Sequence, residues 1–247
     1  MHKNKKSLGI IPARFASVRF PGKPLADIGG KTMIQRVYEQ AAKAKKLDSL
    51  LVATDDTRIF EEVLRFGGKV EMTAKTHQSG TDRCAEIIAR TEWSNFEKVI
   101  NIQGDEPFII PAQIDQLIDF LEKNATFAIA TLVKKISCSE DLFNPNTAKV
   151  VFDHQNSALY FSRNPIPFLR KHEKKEWLGK GAFYQHLGMY AYRKKTLLEI
   201  ALLKQSRLEL AESLEQLRWL ENGFSIGVKI TEFESIAIDT PQDLERL

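Results

Sequence analysis

The feature that most constrains the fold of this chain is an alternation of short apolar runs with stretches of helical periodicity. The runs Leu8–Ile11, Leu50–Ala53, Val99–Ile102 and Ala128–Val133 have the length of buried strands. Amphipathic spacing between and after them predicts helices at Met33–Ala44, Arg58–Phe66, Asp82–Arg90 and Gln113–Lys123. Strands that alternate with helices predict an α/β fold: a Rossmann-like, mostly parallel sheet flanked by helices, with right-handed crossovers.

The pattern changes from about residue 149. Apolar runs at 150–152, 158–161 and 186–192 predict a smaller inserted antiparallel sheet, and the lysine-rich stretch Leu169–Gly181 predicts a mobile loop. Helices are expected at Lys195–Leu203 and Ser213–Asn222, then a strand at Ile226–Ile230. A last helix should have Thr240 as its cap and Pro241 at its first position. We therefore expect one domain over residues 1–247, with 149–193 as the inserted antiparallel region.

Composition excludes several classes of protein. The 247 residues are 43% hydrophobic, enough for a full core, and 36 basic against 32 acidic residues argue against a general nucleic-acid binder. Cys84 and Cys138 form no metal-binding motif, which favours a reducing cytoplasm over a disulfide framework. No apolar run reaches the ~18 residues of a membrane span, and the apolar stretch after the basic start is too short for an export signal.

A loop with three cations follows the first apolar run. Arg14, Arg19 and Lys23 lie in a segment where Pro21 and Gly22 predict a turn. Positive charge from several directions, together with backbone N–H groups, is what a triphosphate requires. The loop matches neither the Walker A pattern nor the dinucleotide fingerprint, so those nucleotide folds are disfavoured.

Carboxylates follow several of the predicted strands. Asp105 comes just after a buried strand, where solvation alone explains a carboxylate poorly, and Mg²⁺ is held in proteins by one or two such groups. Glu106 is its local rival. Asp239 precedes Thr-Pro and from the residues alone is better explained as part of a helix cap. Asp55 and Asp56 precede a helix and are also expected to cap it.

The loop resembles the signature segment of the sugar-acid cytidylyltransferases, and most closely that of the members acting on 3-deoxy-manno-octulosonate (Kdo). The resemblance continues, in matching order, through six further blocks covering nearly the whole chain. These blocks are His77–Arg83, Asn101–Pro107, Phe143–Asn146, Ala158–Arg163, His186–Tyr190 and Ile238–Pro241. It implies a nucleotidyltransferase fold of the nucleotide-diphospho-sugar type and transfer of CMP from CTP to Kdo, giving CMP-Kdo and pyrophosphate for lipopolysaccharide synthesis.

The resemblance also implies roles for individual residues. Arg14, Arg19 and Lys23 would act on the phosphates, and Asp105 and Asp239 would hold Mg²⁺. The nucleotide would be bound by Ala13, Ser17, Gln78, Ser79, Gly80, Thr81, Arg83 and Gln103, although from the residues alone 77–83 is better explained as a turn that opens a helix. Arg163 would contact the carboxylate of the sugar acid, and His186, Tyr190, Glu215 and Gln216 would complete its site.

Two alternatives stay open. The acceptor could be another sugar acid, such as the 8-amino analogue of Kdo or an acylneuraminate, and Val18, Phe20 and the 169–181 loop depart from the family pattern. A non-catalytic nucleotide-binding regulator of the same fold should have lost Asp105, Asp239 or Lys23, all of which are present. Family membership further implies a homodimer formed through the inserted region.

Overall fold

The computed structural model describes residues 6–16, 20–233, 238 and 241–244. Its nine strands belong to one sheet, whose main path runs in the order β3-β2-β1-β4-β8-β5-β9. The strands are β1 Lys6–Ala13, β2 Ser49–Thr54, β3 Val70–Met72, β4 Phe96–Asn101, β5 Ile129–Lys135, β6 Lys149–Phe152, β7 Ala158–Ser162, β8 Tyr184–Arg193 and β9 Ile226–Ile230. All neighbours on the main path pair in parallel except β8, which is antiparallel to both β4 and β5.

Helices connect the strands and cover the sheet. They are α1 Met33–Ala41, α2 Thr57–Arg65, α3 Gly80–Ala89, α4 Pro111–Lys123, α5 Ser139–Phe143, α6 Trp177–Lys180, α7 Lys194–Ile200, α8 Arg207–Glu212, α9 Gln216–Glu221 and α10 Pro241–Leu244. The predicted α/β class is thereby confirmed. The last helix begins at Pro241, as expected, whereas its predicted cap Thr240 lies outside the described residues.

The sheet separates two apolar cores. One face carries side chains such as Ile11 and Val52, covered by α1, α2 and α4, and the other carries Leu8, Ile10 and Leu51, covered by α3, α7 and α9. Continuous apolar runs were the right signal for these strands, because a strand covered on both faces needs apolar residues at every position.

The inserted antiparallel region is smaller than predicted. The strand expected at 186–192 is part of β8, in the middle of the main sheet, rather than in a separate one. What remains is the hairpin of β6 and β7, which joins β8 through the pair Lys149 and Gln185. Tyr190 and Tyr192 of β8 are buried, and their rings pack against Trp219. Buried apolar and aromatic positions of this kind are why the sequence predicted a strand here.

The predicted helix Ser213–Asn222 was wrong in its first turn. Ser206 caps α8 through a reciprocal capping box with Glu209, and α8 ends at Ser213, which has a φ of +51°. The chain turns there and starts α9 at Gln216. The turn separating the two helices brings Glu215 to the sheet.

The segment predicted as a mobile loop, Leu169–Gly181, contains a 3₁₀ turn and α6. Trp177 is buried and stacks on Phe183, with ring centroids 5.9 Å apart. A small third core of Ile136, Leu142, Trp177 and Phe183 therefore anchors this lysine-rich segment to the sheet. Its mobility stays a prediction.

Within the described part of the chain, no helix has the length and apolar character needed to cross a membrane.

Candidate active site

A cavity of about 370 Å³ opens where β1 and β4 end. This is the edge of a parallel sheet at which loops and helix starts converge. Twelve of the residues predicted for the site line it: Ala13, Arg14, Lys23, Gln78, Ser79, Gly80, Thr81, Arg83, Gln103, Asp105, Tyr190 and Glu215. Ser17, Arg19 and Asp239 lie outside the described residues, and Arg163, His186 and Gln216 do not reach the cavity wall.

Lys23 is held in place by two hydrogen bonds at the end of the basic loop. Gly22, whose φ is +73°, makes the turn that the sequence predicted, and its N–H donates to the carbonyl of Phe15 over 3.0 Å. The ammonium of Lys23 then donates to Asp105 Oδ2 at 2.8 Å and to the carbonyl of Ile238 at 2.9 Å. Arg14 is exposed on the rim. Lys23 and Arg14 thus bring positive charge to one side of the cavity.

Asp105 lies just beyond the end of β4, in a segment that packs against the end of β1. A Cβ at the preceding Gly104 would stand 2.8 Å from the carbonyl oxygen of Pro12, so only glycine lets the two strand ends approach this closely. The carbonyl of Asp105 accepts the N–H of Ile238, which ties the end of the chain to the site. Glu106, its rival as a metal ligand, is buried and is not part of the cavity wall.

The segment 77–83 both opens a helix and lines the cavity. Ser79 caps α3, with its Oγ accepting the N–H of Asp82 and its own N–H donating to the Asp82 carboxylate. This is the turn that the residues alone suggested. Because α3 starts at the cavity, Gln78 and Gly80 are also part of the cavity wall.

Arg83 of α3 and the two aspartates that follow β2 are held by hydrogen bonds within the protein. Arg83 is buried and donates to Asp55 Oδ2 at 2.7 Å and to Thr73 Oγ1 at 2.6 Å. Asp55 therefore pairs with Arg83 instead of capping α2. Asp56 is the cap, as expected, and accepts the N–H of Arg58 at 3.0 Å.

Glu215 and Tyr190 close the cavity on the side of β8. Glu215 Oε2 accepts a hydrogen bond from Thr81 Oγ1 at 2.8 Å, which links the start of α9 to the start of α3. Burial raises the pKa of Glu215 above its ordinary value, although the hydrogen bond from Thr81 opposes this. Burial also raises the pKa of Tyr190, so its hydroxyl stays protonated.

His186 lies beneath this side of the cavity. Its Nε2 is 3.0 Å from Thr131 Oγ1, and its ring packs against Phe161 and Tyr190. Burial lowers the pKa of His186 to about 3, so the imidazole is neutral near pH 7. Gln216 is buried and starts α9 directly after Glu215.

Arg163 lies at the end of β7. Its Nε donates to the carbonyl of Glu212 at 2.6 Å, its Nη1 to that of Pro145 at 2.9 Å and its Nη2 to that of Ser213 at 3.1 Å. Within the described residues these partners of the guanidinium are neutral carbonyls, so the side chain is fixed while its charge is not balanced by a hydrogen-bonded carboxylate.

Asn101 and His77 also line the cavity, although neither was predicted as a site residue. Asn101 ends β4 with a buried side chain whose Oδ1 has no hydrogen-bond donor among the described residues. His77 Nε2 lies 2.6 Å from Glu86 Oε2. Both residues open blocks of the family resemblance, and that was the signal that could have identified them. Gln103 Nε2 donates a hydrogen bond to the carbonyl of Gly188 at 2.7 Å, which joins the segment after β4 to β8.

Comparison with known proteins gives one consistent result. A sequence profile of the family described as cytidylyltransferase matches residues 8–233. The chain is 54% identical to the 3-deoxy-manno-octulosonate cytidylyltransferase of Cytophaga hutchinsonii, covering 100% of this chain and 98% of that protein. It is 56% identical to the enzyme of the same name from Parabacteroides distasonis, covering 98% and 96% of the two chains.

Solved structures agree with these relatives. The structure of CMP:2-keto-3-deoxy-manno-octonic acid synthetase complexed with CTP superposes with a TM-score of 0.90 at 41% identity, over 98% of this chain and 96% of that one. The 4-diphosphocytidyl-2C-methyl-D-erythritol synthase of Anaerococcus prevotii superposes with a TM-score of 0.62 at 16% identity, covering 99% and 97%, and shares the fold.

Proposed function

We infer the activity of this chain from the fact that it belongs to the cytidylyltransferase family: it is a 3-deoxy-manno-octulosonate cytidylyltransferase. The reaction transfers CMP from CTP to Kdo and releases pyrophosphate, and its product serves lipopolysaccharide synthesis. The observation that carries this assignment is the meeting of Lys23, Asp105 and the start of α3 in one cavity with Glu215 and Tyr190. In this proposal a nucleotide half and an acceptor half share that cavity.

For the nucleotide half, we propose that Lys23 and Arg14, with Arg19, neutralise the triphosphate. In-line attack on the α-phosphate develops charge on the leaving pyrophosphate, and fixed cations stabilise that charge. Ala13, Ser17, Gln78, Ser79, Gly80, Thr81, Arg83 and Gln103 complete the nucleotide site in this proposal. The ion pair of Arg83 with Asp55 ties the start of α3 to the end of β2. In this proposal Arg83 therefore supports the neighbouring segment 78–81.

The residues present also fit a magnesium ion. Asp105 already accepts an ammonium at 2.8 Å, so its carboxylate is arranged to hold a cation. One or two protein carboxylates are enough for Mg²⁺, because that ion takes most of its oxygens from phosphates and water. We propose Asp105 and Asp239 as its protein ligands. When bound, the ion supplies charge neutralisation on the phosphates.

For the acceptor half, we propose that Arg163 faces the carboxylate of the sugar acid. Its three bonds to carbonyls hold the guanidinium in place, and its charge is left to attract an anion. Tyr190 and Glu215, which line the cavity, would contact the hydroxyl groups, and His186 and Gln216 would complete the sugar site from behind them. Because His186 Nε2 lies 3.0 Å from Thr131 Oγ1, Nδ1 is the nitrogen of the neutral imidazole that is left for another hydrogen bond.

We further propose that the enzyme works in the cytoplasm as a homodimer joined through residues 149–193. Two large apolar side chains are exposed in this region, Leu159 at 61% and Phe168 at 70%. Exposed apolar groups of this size on a sheet hairpin are typical of a surface that a second subunit covers.

The experiment that tests the function is pyrophosphate release from the purified protein with CTP and Mg²⁺. The acceptors to compare are Kdo, its 8-amino analogue, N-acetylneuraminate and no sugar. Release with Kdo alone is expected. Preferential release with another acid would reassign the acceptor, and no release with any acid would indicate a regulator that binds nucleotide without catalysis.

A further inference from the structure

Three segments that carry or adjoin Arg163 and Glu215 meet at the edge of the proposed acceptor half. They are the loop 144–147, the end of β7 at Ser162 and Arg163, and the turn 212–215 between α8 and α9. The first two belong to blocks that resemble the family pattern, yet neither segment lines the cavity. The contacts between them show what they do.

Glu212 is the residue that joins β7 to the turn. Its Oε1 accepts the hydroxyl of Ser162 at 2.7 Å, and its Oε2 accepts the backbone N–H of Arg163 at 2.8 Å. The same residue's carbonyl accepts Arg163 Nε at 2.6 Å. Glu212 therefore bonds both the backbone and the side chain of Arg163, and a carboxylate that accepts two donors is held more firmly than one with a single partner.

The other contacts extend this connection in both directions. Arg163 Nη1 reaches the carbonyl of Pro145, and the fully buried Lys149 donates to the carbonyls of Asn144 at 2.8 Å and Thr147 at 2.6 Å. On the other side, Glu215 lies three residues after Glu212 and reaches Thr81 in the cavity wall. The place of Glu215 thus depends on where the turn is fixed.

We propose that Glu212 is a positioning residue for the acceptor: it sets the guanidinium of Arg163 and the carboxylate of Glu215 relative to each other. This proposal rests on the acceptor site proposed above. Glu212 does not contact the sugar, and it acts through the two residues that do. Its loss displaces both contacts from one side of the site, whereas the nucleotide half, built on β1, β4 and α3, keeps its supports apart from the hydrogen bond between Thr81 and Glu215.

The test is the substitution Glu212→Gln, with steady-state kinetics for both substrates. The carboxamide has a single acceptor oxygen, so in either orientation it cannot accept from both Ser162 and the N–H of Arg163, and the negative charge that strengthens both hydrogen bonds is lost. We expect the KM for Kdo to rise about tenfold or more, because small displacements of positioning groups have effects of that size, while the KM for CTP changes by less than about twofold. A purely structural role would change stability and both KM values together.

A matched control is Glu221→Gln in α9. The carboxylate of Glu221 accepts the backbone N–H of Leu208 at 3.0 Å and so also joins the two helices, away from the cavity. This variant should leave the KM for Kdo unchanged. If both variants raise it equally, the effect belongs to the helix pair in general and the proposal is wrong.

The double variant R163A/E212Q separates the two proposals. If Glu212 acts through Arg163, the double variant should raise the KM for Kdo by little more than Arg163→Ala alone. If Arg163→Ala does not affect Kdo, the assignment of Arg163 as a sugar contact fails. If Arg163→Ala raises the KM for Kdo and Glu212→Gln does not, the positioning role fails.

Should Glu212→Gln not fold, Ser162→Ala provides the same test with a milder change. It removes one of the two donors to the Glu212 carboxylate, and we expect the KM for Kdo to rise about threefold. An unchanged KM for Kdo in a folded Ser162→Ala protein would overturn the proposal.

Discussion

At the scale of single residues, Lys23 makes two contacts that no other described side chain of the cavity wall makes. It is 13% exposed, bonds Asp105 and the carbonyl of Ile238, and lies at the base of the basic loop. Replacement by methionine keeps the volume and removes the charge. We expect Lys23→Met to lower kcat by about 10²–10³-fold, the range for loss of one preorganised charge at a reacting phosphate.

The measurement for Lys23→Met is the initial rate of pyrophosphate release at saturating CTP and Kdo. Thermal unfolding of the same protein serves as the control for folding. A variant with normal turnover would contradict the role of Lys23 at the phosphates.

His186 makes stability depend on pH. Its folded pKa of about 3 lies below the ordinary value of 6.5, so below pH 6.5 the unfolded chain binds a proton that the folded protein does not. The contribution of the neutral imidazole is complete above pH 6.5 and is lost as the pH falls from there toward 3. We expect this to lower the free energy of unfolding by on the order of 1–2 kcal/mol between pH 7 and pH 5.

Urea unfolding at pH 7 and pH 5 measures this effect, with His186→Gln as the comparison. The glutamine variant should lose less free energy of unfolding over the same interval. An equal loss in both proteins would show that other groups cause the acid sensitivity.

At the scale of elements, α8 and α9 depend on a buried ion pair. Arg218 donates to Glu209 from Nε at 2.8 Å and from Nη2 at 2.5 Å, and both residues are less than 10% exposed. Burial alone would raise the pKa of Glu209, but the hydrogen bonds from Arg218 hold it below its ordinary value. Glu209→Gln leaves a buried guanidinium without its counter-charge, which should reduce the free energy of unfolding by about 3 kcal/mol.

Urea unfolding at pH 7 measures this loss. The double variant E209Q/R218M removes the unpaired charge and should recover part of the stability. If it is less stable than Glu209→Gln alone, the destabilisation comes from packing and not from the charge.

The elements also show what sequence patterns can predict. Apolar runs identified β1, β2, β4 and β5, because strands covered on both faces carry apolar residues throughout. The same reasoning detected β8 but could not place it between β4 and β5, since strand order depends on contacts far apart in sequence. The break at Ser213 was missed because nothing in its neighbours requires a positive φ there, and α8 is too short to show periodicity.

The site could be predicted to a similar degree. Lys23 and Asp105 follow strands that are adjacent in the sheet, so their meeting was foreseeable from the carboxyl-end rule. Arg163, by contrast, was expected at the cavity, and only the fold shows that its guanidinium is held by carbonyls from two distant segments. Such contacts leave no periodic or spacing signal in the sequence.

At the scale of the whole molecule, the exposed face of the β6–β7 hairpin predicts self-association. If Leu159 lies in a subunit interface, a charge placed there has to be buried without a partner. We expect the unmodified protein to sediment as a dimer and Leu159→Lys to sediment as a monomer at micromolar concentration. Leu202→Lys, at a position 85% exposed and outside residues 149–193, is the matched control and should stay dimeric.

Sedimentation velocity at several protein concentrations distinguishes these outcomes. If Leu159→Lys remains a dimer with unchanged affinity, the interface lies elsewhere on the molecule.

The contact between Lys23 and Asp105 has one more consequence, which concerns the order in which ligands enter. A divalent ion arriving alone meets a carboxylate already occupied by an ammonium tethered to the same chain, 2.8 Å away. A nucleotide bound with an ion would offer Lys23 a triphosphate in exchange for Asp105 and would leave that carboxylate to the ion. We expect the protein alone to bind little Mg²⁺ and to bind it more tightly when CTP is present, which equilibrium dialysis with and without CTP measures.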